Sequence, residues 1–187
     1  MVELHTPIQA AQWLKSRVHG TLRADSRALM PGDGFIAWPG AATDGRKFAQ
    51  GAIAQGANAC LMEHAGAEAF DLYGNGFATY PGLKADTGAI ASEFFNSPSQ
   101  DLSLVAITGT NGKTSTAWWL AQALSALPSD KAMPCGVIGT LGVGSPPHVV
   151  STGLTTPDPV LLQKTLREFV NMGLKVCAIE ASSIGIE

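Results

Sequence analysis

A glycine-rich stretch carries the clearest chemistry in this sequence, and it reads Thr108-Gly109-Thr110-Asn111-Gly112-Lys113-Thr114-Ser115. Glycines in such a stretch allow several backbone N–H groups to converge on one anion, as they do in phosphate-binding loops. The Lys113 ammonium can reach β- and γ-phosphates, and the Thr114 hydroxyl can hold Mg²⁺. The stretch therefore predicts a binding site for ATP or GTP.

The spacing of this loop is tighter than the general phosphate-loop pattern, which has a glycine five residues before Gly112, where this chain has Ile107. Here the first glycine is Gly109, so the loop reads G-x-x-G-K-T. A glycine turn that only joins a strand to a helix is the alternative interpretation. We favour the nucleotide site because the loop follows an apolar, strand-like run and precedes apolar residues at helical spacing.

A second candidate is Glu180, which follows the apolar run of residues 174–179. Ligands of open α/β sheets bind at the carboxyl ends of the strands. A carboxylate in that position, beside a phosphate loop, can bind the Mg²⁺ of a nucleotide directly or through water. A surface glutamate at the end of a strand is the alternative.

Two hydroxyl-rich segments allow more than one interpretation. Thr155 and Thr156 either cap the helix that follows them or bind a phosphate or sugar of a second substrate. The run Asp25-Ser26-Arg27 forms a salt bridge at the end of a strand or offers donors and acceptors to a polar ligand.

The elements that must position these residues alternate between strand and helix. The first helix is capped by Thr6 and stopped by Gly20, with Ile8 among the residues on its inner face. Further segments follow in order: strand 35–38, helix 47–55, strand 58–62, strand 76–80, helix 83–95, strand 102–107, a helix from 113, strand 135–143, a helix up to Gly173 and strand 174–179. This alternation predicts a layered α/β fold.

The polar run 96–101, which contains a proline, is the best boundary between domains. We therefore predict one domain over residues 1–97 and a nucleotide domain over residues 98–187. At 187 residues and 45% hydrophobic composition, the chain is large enough for a real core.

Composition excludes several classes of protein. A net charge of −3 and a pI near 5.8 provide no basic field for DNA or RNA. Cys60, Cys135 and Cys177 lie far apart in apolar runs and indicate reduced core thiols rather than disulfides or a zinc site. No apolar run reaches the ~20 residues of a membrane span, and the N-terminus lacks a signal sequence, so we expect a cytoplasmic protein.

The motifs together resemble the Mur ligases, ATP-dependent enzymes that build the peptide of bacterial cell-wall precursors. The string 107–114, with its short glycine spacing, resembles their ATP-binding loop. The strings 136–142, 155–158 and 180–183 are similar to the members that add the third amino acid. Four N-terminal motifs resemble the UDP-binding domain of those members: Asp25-Ser26-Arg27, Pro31-Gly32-Asp33, Asp44-Gly45-Arg46 and Gly56-Ala57.

The resemblance implies an α/β protein with an N-terminal UDP-binding domain and part of a P-loop central domain built on a mainly parallel sheet. It implies that ATP is bound by Gly109, Thr110, Asn111, Gly112, Lys113, Thr114 and Ser115, and Mg²⁺ by Thr114 and Glu180. Lys113 and Glu180 are the implied catalytic residues. The implied contacts to the UDP-muramoyl peptide are Ser26, Ala41, Ala42, Thr43, Thr155, Thr156 and Ser182. Where the family often has histidine, this chain has Ile184.

The implied reaction is amide-bond formation in peptidoglycan precursor synthesis. A carboxylate of the UDP-N-acetylmuramoyl dipeptide takes the γ-phosphoryl group of ATP, and the amine of diaminopimelate or lysine captures the acyl phosphate. The rest of the central domain and the family's C-terminal domain have no counterpart in these 187 residues. We therefore expect a fragment that is inactive alone and that exposes apolar strand edges.

Three other functions stay open at this stage. The chain could be a nucleotide-binding module that forms no bond, or another Mur-type ligase such as the one that adds the terminal dipeptide. A kinase or simple NTPase is disfavoured because a dedicated domain precedes the phosphate loop.

Overall fold

The computed structural model of the chain describes residues 1–40 and 43–182. The contacts within it divide the chain into two units. The first unit is Met1–Phe95 with Pro159–Leu161, and the second is Asn96–Asp158 with the residues from Leu162 onward.

The first unit is a parallel five-stranded sheet with helices on both faces. Its strands are β1 (Val2–Glu3), β2 (Leu22–Arg23), β3 (Gly34–Ala37), β4 (Ala59–Glu63) and β5 (Phe77–Tyr80). Their order is β1-β5-β4-β3-β2, and every neighbouring pair is parallel. Its helices are α1 (Pro7–Lys15), α2 (Ala49–Ala54) and α3 (Leu83–Phe94).

The alternation of side chains along β4 builds the two apolar layers of this unit. Ala59 and Leu61 pack in a cluster that includes residues of α1 and α3. Cys60 and Met62 face the other way and pack with residues of α2. Successive strand residues point to opposite faces of a sheet, so one strand can serve both layers.

The second unit contains a mixed five-stranded sheet. Its strands are β6 (Ser103–Ile107), β7 (Cys135–Gly139), β8 (Gly142–Ser145), β9 (His148–Val150) and β10 (Val176–Glu180), and its helices are α4 (Lys113–Ser125) and α5 (Pro159–Asn171). The order is β6-β10-β7-β8-β9. The first three strands are parallel, whereas β8 and β9 are antiparallel to their neighbours.

The central strand β10 is covered on both faces. Val176 and Ala178 pack with Ala117 and Ala121 of α4, whereas Cys177 packs with residues of α5. Because β6, β10 and β7 run in parallel, their carboxyl ends lie at one edge of the sheet, where Glu180 is paired with Ile107. This edge brings together the segments that follow the three strands.

The predicted α/β fold is confirmed, but two predicted elements are wrong in detail. The first helix ends at Lys15 rather than near Gly20, and Ile8 is 56% exposed instead of facing inward. The predicted strand 135–143 is two antiparallel strands, β7 and β8, joined by a two-residue turn. The sequence does not reveal this reversal, because the turn residues Thr140 and Leu141 include neither a proline nor an Asn-Gly pair.

The prediction of reduced core thiols is confirmed. Cys60, Cys135 and Cys177 are all free and buried. Burial raises the pKa of each of these thiols, which makes the reactive thiolate scarce. Within residues 1–40 and 43–182, no helix is both long and apolar enough to cross a bilayer.

Candidate functional site

The glycine-rich loop connects the end of β6 to the start of α4. Gly109 and Gly112 have φ values of +137° and +80°, in the left-handed region that side chains disfavour. Gly112 is the N-cap of α4 and has no side chain with which to cap it. The first N–H groups of the helix and its positive dipole end are therefore offered to an anion.

Lys113 adds a positive charge to this loop. Its Nζ donates a hydrogen bond to the carbonyl oxygen of Gly109 at 2.7 Å. The side chain thus curls back over the loop that it follows in sequence. An anion seated on the loop would meet both the helix N-terminus and this ammonium group.

Glu180, the last residue of β10, is the buried charge of the site. Only 2% of its surface is exposed. Its Oε2 accepts a hydrogen bond from the Thr114 hydroxyl at 2.8 Å. Its Oε1 accepts one from the backbone N–H of Thr140 at 2.9 Å, and the Thr140 hydroxyl donates to Oε2 at 3.2 Å.

No lysine, arginine or histidine in the described part of the chain forms an ion pair with Glu180. A buried carboxylate that is hydrogen-bonded but lacks a counter-charge is costly. Gly139 makes room for it, because a Cβ at that position would come within 2.0 Å of Glu180 Oε1. The arrangement suits a cation that a bound ligand brings with it.

The hydroxyls of Thr155, Thr156 and Ser182 gather beside Glu180. Thr155 Oγ1 lies 3.2 Å from Thr140 Oγ1. Thr156 Oγ1 donates to the backbone oxygen of Glu180 at 3.3 Å and lies 3.1 Å from Ser182 Oγ. Helix α5 begins at Pro159, and the contacts of these hydroxyls place them beside the carboxyl end of β10 and the turn that carries Thr140.

The first unit holds a cavity of about 580 Å³ at the carboxyl ends of β2 and β3. Ser26 and Thr43, both predicted substrate contacts, line it. Trp38 and Phe48 add aromatic surface to the lining. The other two predicted contacts on this loop, Ala41 and Ala42, lie outside the described residues.

Two short-range ion pairs shape the segments around this cavity. Asp25 caps the turn that carries Ser26 and pairs with Arg27 at 2.8 Å, as the salt-bridge interpretation expects. The hydrogen bond from Arg27 lowers the pKa of the Asp25 carboxyl. The second pair joins Asp44 to the buried Arg46, also at 2.8 Å.

Arg46 is itself held by contacts beyond its pairing with Asp44. Its guanidinium donates to the carbonyl oxygen of Ala65 and lies over the Phe70 ring, 5.0 Å from the ring centroid. The hydrogen bond from Gly45 N to Trp38 O closes the loop at its base. Thr43 thus directly precedes a residue that is anchored by an ion pair to the buried Arg46.

Two site residues were not predicted as such. In the sequence, Thr140 and Arg46 belong to longer motifs that assign neither of them a role. For Thr140 the missing signal is the pairing of β7 with β10, which the sequence does not display.

Within the described residues, no group of three His, Cys, Asp or Glu side chains could hold a metal ion.

Two family models match the chain. The Mur ligase family catalytic domain matches residues 18–92, and the Mur ligase middle domain matches residues 107–187. Together the two matches cover most of the sequence.

Individual relatives agree with these matches. A UDP-N-acetylmuramoyl-L-alanyl-D-glutamate–2,6-diaminopimelate ligase from Acidovorax sp. (strain JS42) is 57% identical over 187 residues, which cover 98% of this chain and 37% of that enzyme. The solved structure of a ligase of the same name has a TM-score of 0.67 and 29% identity, over 89% of this chain and 32% of that one.

The MurF ligase from Thermotoga maritima, solved in complex with ADP, shares the fold at a TM-score of 0.57 and 20% identity, over 89% of this chain and 32% of that one. The chain thus spans about a third of the length of the relatives it matches.

Proposed function

The chain belongs to the Mur ligase family, and from that premise we propose that it binds ATP with Mg²⁺ in its second unit and a UDP-muramoyl peptide in its first. In the whole protein these sites serve the ATP-dependent addition of 2,6-diaminopimelate to UDP-N-acetylmuramoyl-L-alanyl-D-glutamate. The name of the Acidovorax relative, at 57% identity, supports this choice of amino acid and substrate.

The observation that carries the proposal is the position of Glu180. Its carboxylate is buried, has no cationic side-chain partner in the described part of the chain, and bonds the Thr114 hydroxyl of the glycine-rich loop at 2.8 Å. Mg²⁺ prefers oxygen ligands and is held in nucleotide sites by one or two protein groups plus phosphate oxygens. A hydroxyl and a carboxylate at this distance fit that donor set.

The loop and helix α4 supply the rest of the nucleotide site. The uncapped helix N-terminus and the glycine backbone would hold the phosphates. Lys113 would exchange its bond to the Gly109 carbonyl for the β- and γ-phosphate oxygens. Both features stabilise negative charge on a phosphoryl group that moves from ATP to the substrate carboxylate.

The cavity of the first unit supports the substrate half of the proposal. About 580 Å³ is ample for a nucleoside-sized group. Ser26 and Thr43 offer hydroxyls there, and Phe48 offers an aromatic surface that is 44% exposed. The hydroxyls of Thr155, Thr156 and Ser182 are proposed to contact the substrate whose carboxylate is phosphorylated.

Calorimetric titration of this chain with MgATP, and separately with the UDP-N-acetylmuramoyl dipeptide, tests the proposal. The variant Lys113→Ala should lose MgATP binding and keep binding of the UDP ligand. Lys131→Ala, which removes an exposed lysine from the loop after α4, is the matched control and should bind both.

A folded Lys113→Ala protein that loses both ligands equally would contradict the assignment of two sites. Absence of UDP-ligand binding in the wild-type chain, with MgATP bound, would instead favour a different nucleotide-binding function.

A further inference from the structure

The turn between β7 and β8 lies against the buried carboxylate of Glu180. It consists of Thr140 and Leu141, since Gly139 and Gly142 are paired across the hairpin. From this contact we infer that Thr140 is a positioning residue: it holds the Glu180 carboxylate for Mg²⁺ and links it to Thr155. The inference rests on the nucleotide and Mg²⁺ site proposed above.

Thr140 donates hydrogen bonds to both oxygens of the Glu180 carboxylate. Its backbone N–H donates to Oε1 at 2.9 Å, and its hydroxyl donates to Oε2 at 3.2 Å. Two donors from one residue fix the plane of the carboxylate as well as its position, as a two-pronged donor does. The Thr114 hydroxyl then approaches the same Oε2 from the loop side.

The hydroxyl of Thr140 also connects two parts of the site. It lies 3.2 Å from the hydroxyl of Thr155. A hydroxyl carries one proton, and the anionic Glu180 is the stronger acceptor. Of the two acceptors within reach of this proton, Glu180 Oε2 and Thr155 Oγ1, the carboxylate is therefore the favoured one.

The hairpin is built to allow this contact. Any side chain at position 139 would collide with Glu180, whereas glycine leaves the carboxylate within reach of the next residue. Thr140 itself is exposed, so its side chain contributes little to the apolar core. Removal of its hydroxyl should therefore change ligand binding more than stability.

The test compares Thr140→Val, which removes the hydroxyl and keeps the branched shape, with Thr140→Ser, which keeps the hydroxyl. Calorimetry gives the Kd of each variant for MgATP and for ATP in EDTA, and thermal unfolding monitors the fold. Thr152→Val is the control, because the Thr152 hydroxyl bonds within its own loop, to Leu154.

Thr140→Val should raise the Kd for MgATP by about tenfold or more, the factor expected for one hydrogen bond to a charged group. Its Kd for metal-free ATP should stay within about twofold of the wild type, and Thr140→Ser should restore MgATP binding. An equal change with and without metal, or no change, would overturn the inference. A wild-type chain that fails to bind MgATP would contradict the proposed function itself.

Discussion

At the scale of single residues, Asp33 shows how a carboxylate can serve structure alone. Burial by itself raises the pKa of this carboxyl, but hydrogen bonds from Thr21 N–H, the Arg23 guanidinium and Met30 N–H outweigh it. The net effect is a pKa below the ordinary value. Asp33 thus holds the segment before β3 against the strand β2.

The lowered pKa of Asp33 makes the stability of the first unit depend on pH. A carboxyl with a lowered folded-state pKa stabilises the protein fully above its unfolded pKa of about 3.9, and this contribution is lost as the pH falls through the folded value. Asp33→Asn should lower the free energy of unfolding by about 1–3 kcal/mol at pH 7. It should also flatten the pH dependence below pH 4. Urea unfolding between pH 3 and 7 measures both, and an unchanged acid profile would contradict this role.

Residue types and spacing were enough to identify some of the candidate site. The loop around Lys113 and Thr114 is local in sequence, so its geometry follows from glycines placed between a strand and a helix. Glu180 is predictable as a candidate because it ends an apolar run. Thr140 could not be found in this way, since its role depends on which strand lies beside β10.

At the scale of elements, the most direct prediction concerns Gly139, the last residue of β7 in the β7–β8 hairpin. Gly139→Ala places a Cβ 2.0 Å from Glu180 Oε1. The three heavy atoms nearest to this Cβ all belong to the Glu180 side chain. The carboxylate must therefore move. We expect MgATP binding to weaken by about tenfold or more, as for loss of a charged hydrogen bond.

The control for that variant is Gly51→Ala in helix α2, where an added Cβ meets no heavy atom within 4 Å. It should leave MgATP binding unchanged and raise stability by about 0.5–1 kcal/mol, because alanine is the better helix residue. Calorimetry and thermal unfolding of both variants check these outcomes. Unaltered MgATP binding in Gly139→Ala would show that the hairpin does not fix Glu180.

Most elements of the fold could be predicted from hydrophobic periodicity, but their pairing could not. The strand β4 and the helix α3 lie within a residue of the predicted limits. The hairpin is not predictable from the sequence, because Thr140 and Leu141 reverse the chain without a proline or an Asn-Gly pair to mark the turn. The order β6-β10-β7 joins strands that are distant in sequence, and no local pattern encodes that order.

At the scale of the whole molecule, each unit carries its own buried clusters on both faces of its sheet. Strand β6 forms one edge of the second sheet, and its Leu104 and Val105 are 43% and 37% exposed. The expected exposure of apolar residues on a free strand edge is therefore present. Association through that edge stays a prediction.

The family predicted from the motifs is confirmed by the two domain matches, which follow the same order along the chain as the UDP-binding and P-loop motifs. The proposal that the whole protein adds 2,6-diaminopimelate rests on the name of the relative that is 57% identical over 187 residues. The central claim that remains to be measured is that the buried Glu180 makes the second unit a site for ATP with Mg²⁺.

Thermal unfolding of the wild type and of Glu180→Gln, with ATP plus either Mg²⁺ or EDTA, tests this claim most directly. A ligand that binds only the folded state stabilises it, by about 2.7 kcal/mol at one hundred times its Kd. The wild type should gain stability with MgATP and much less with ATP in EDTA. Glu180→Gln should lose the difference between the two conditions, whereas Glu168→Gln, an exposed control on α5, should keep it. An equal Mg²⁺-dependent gain in Glu180→Gln would contradict the account.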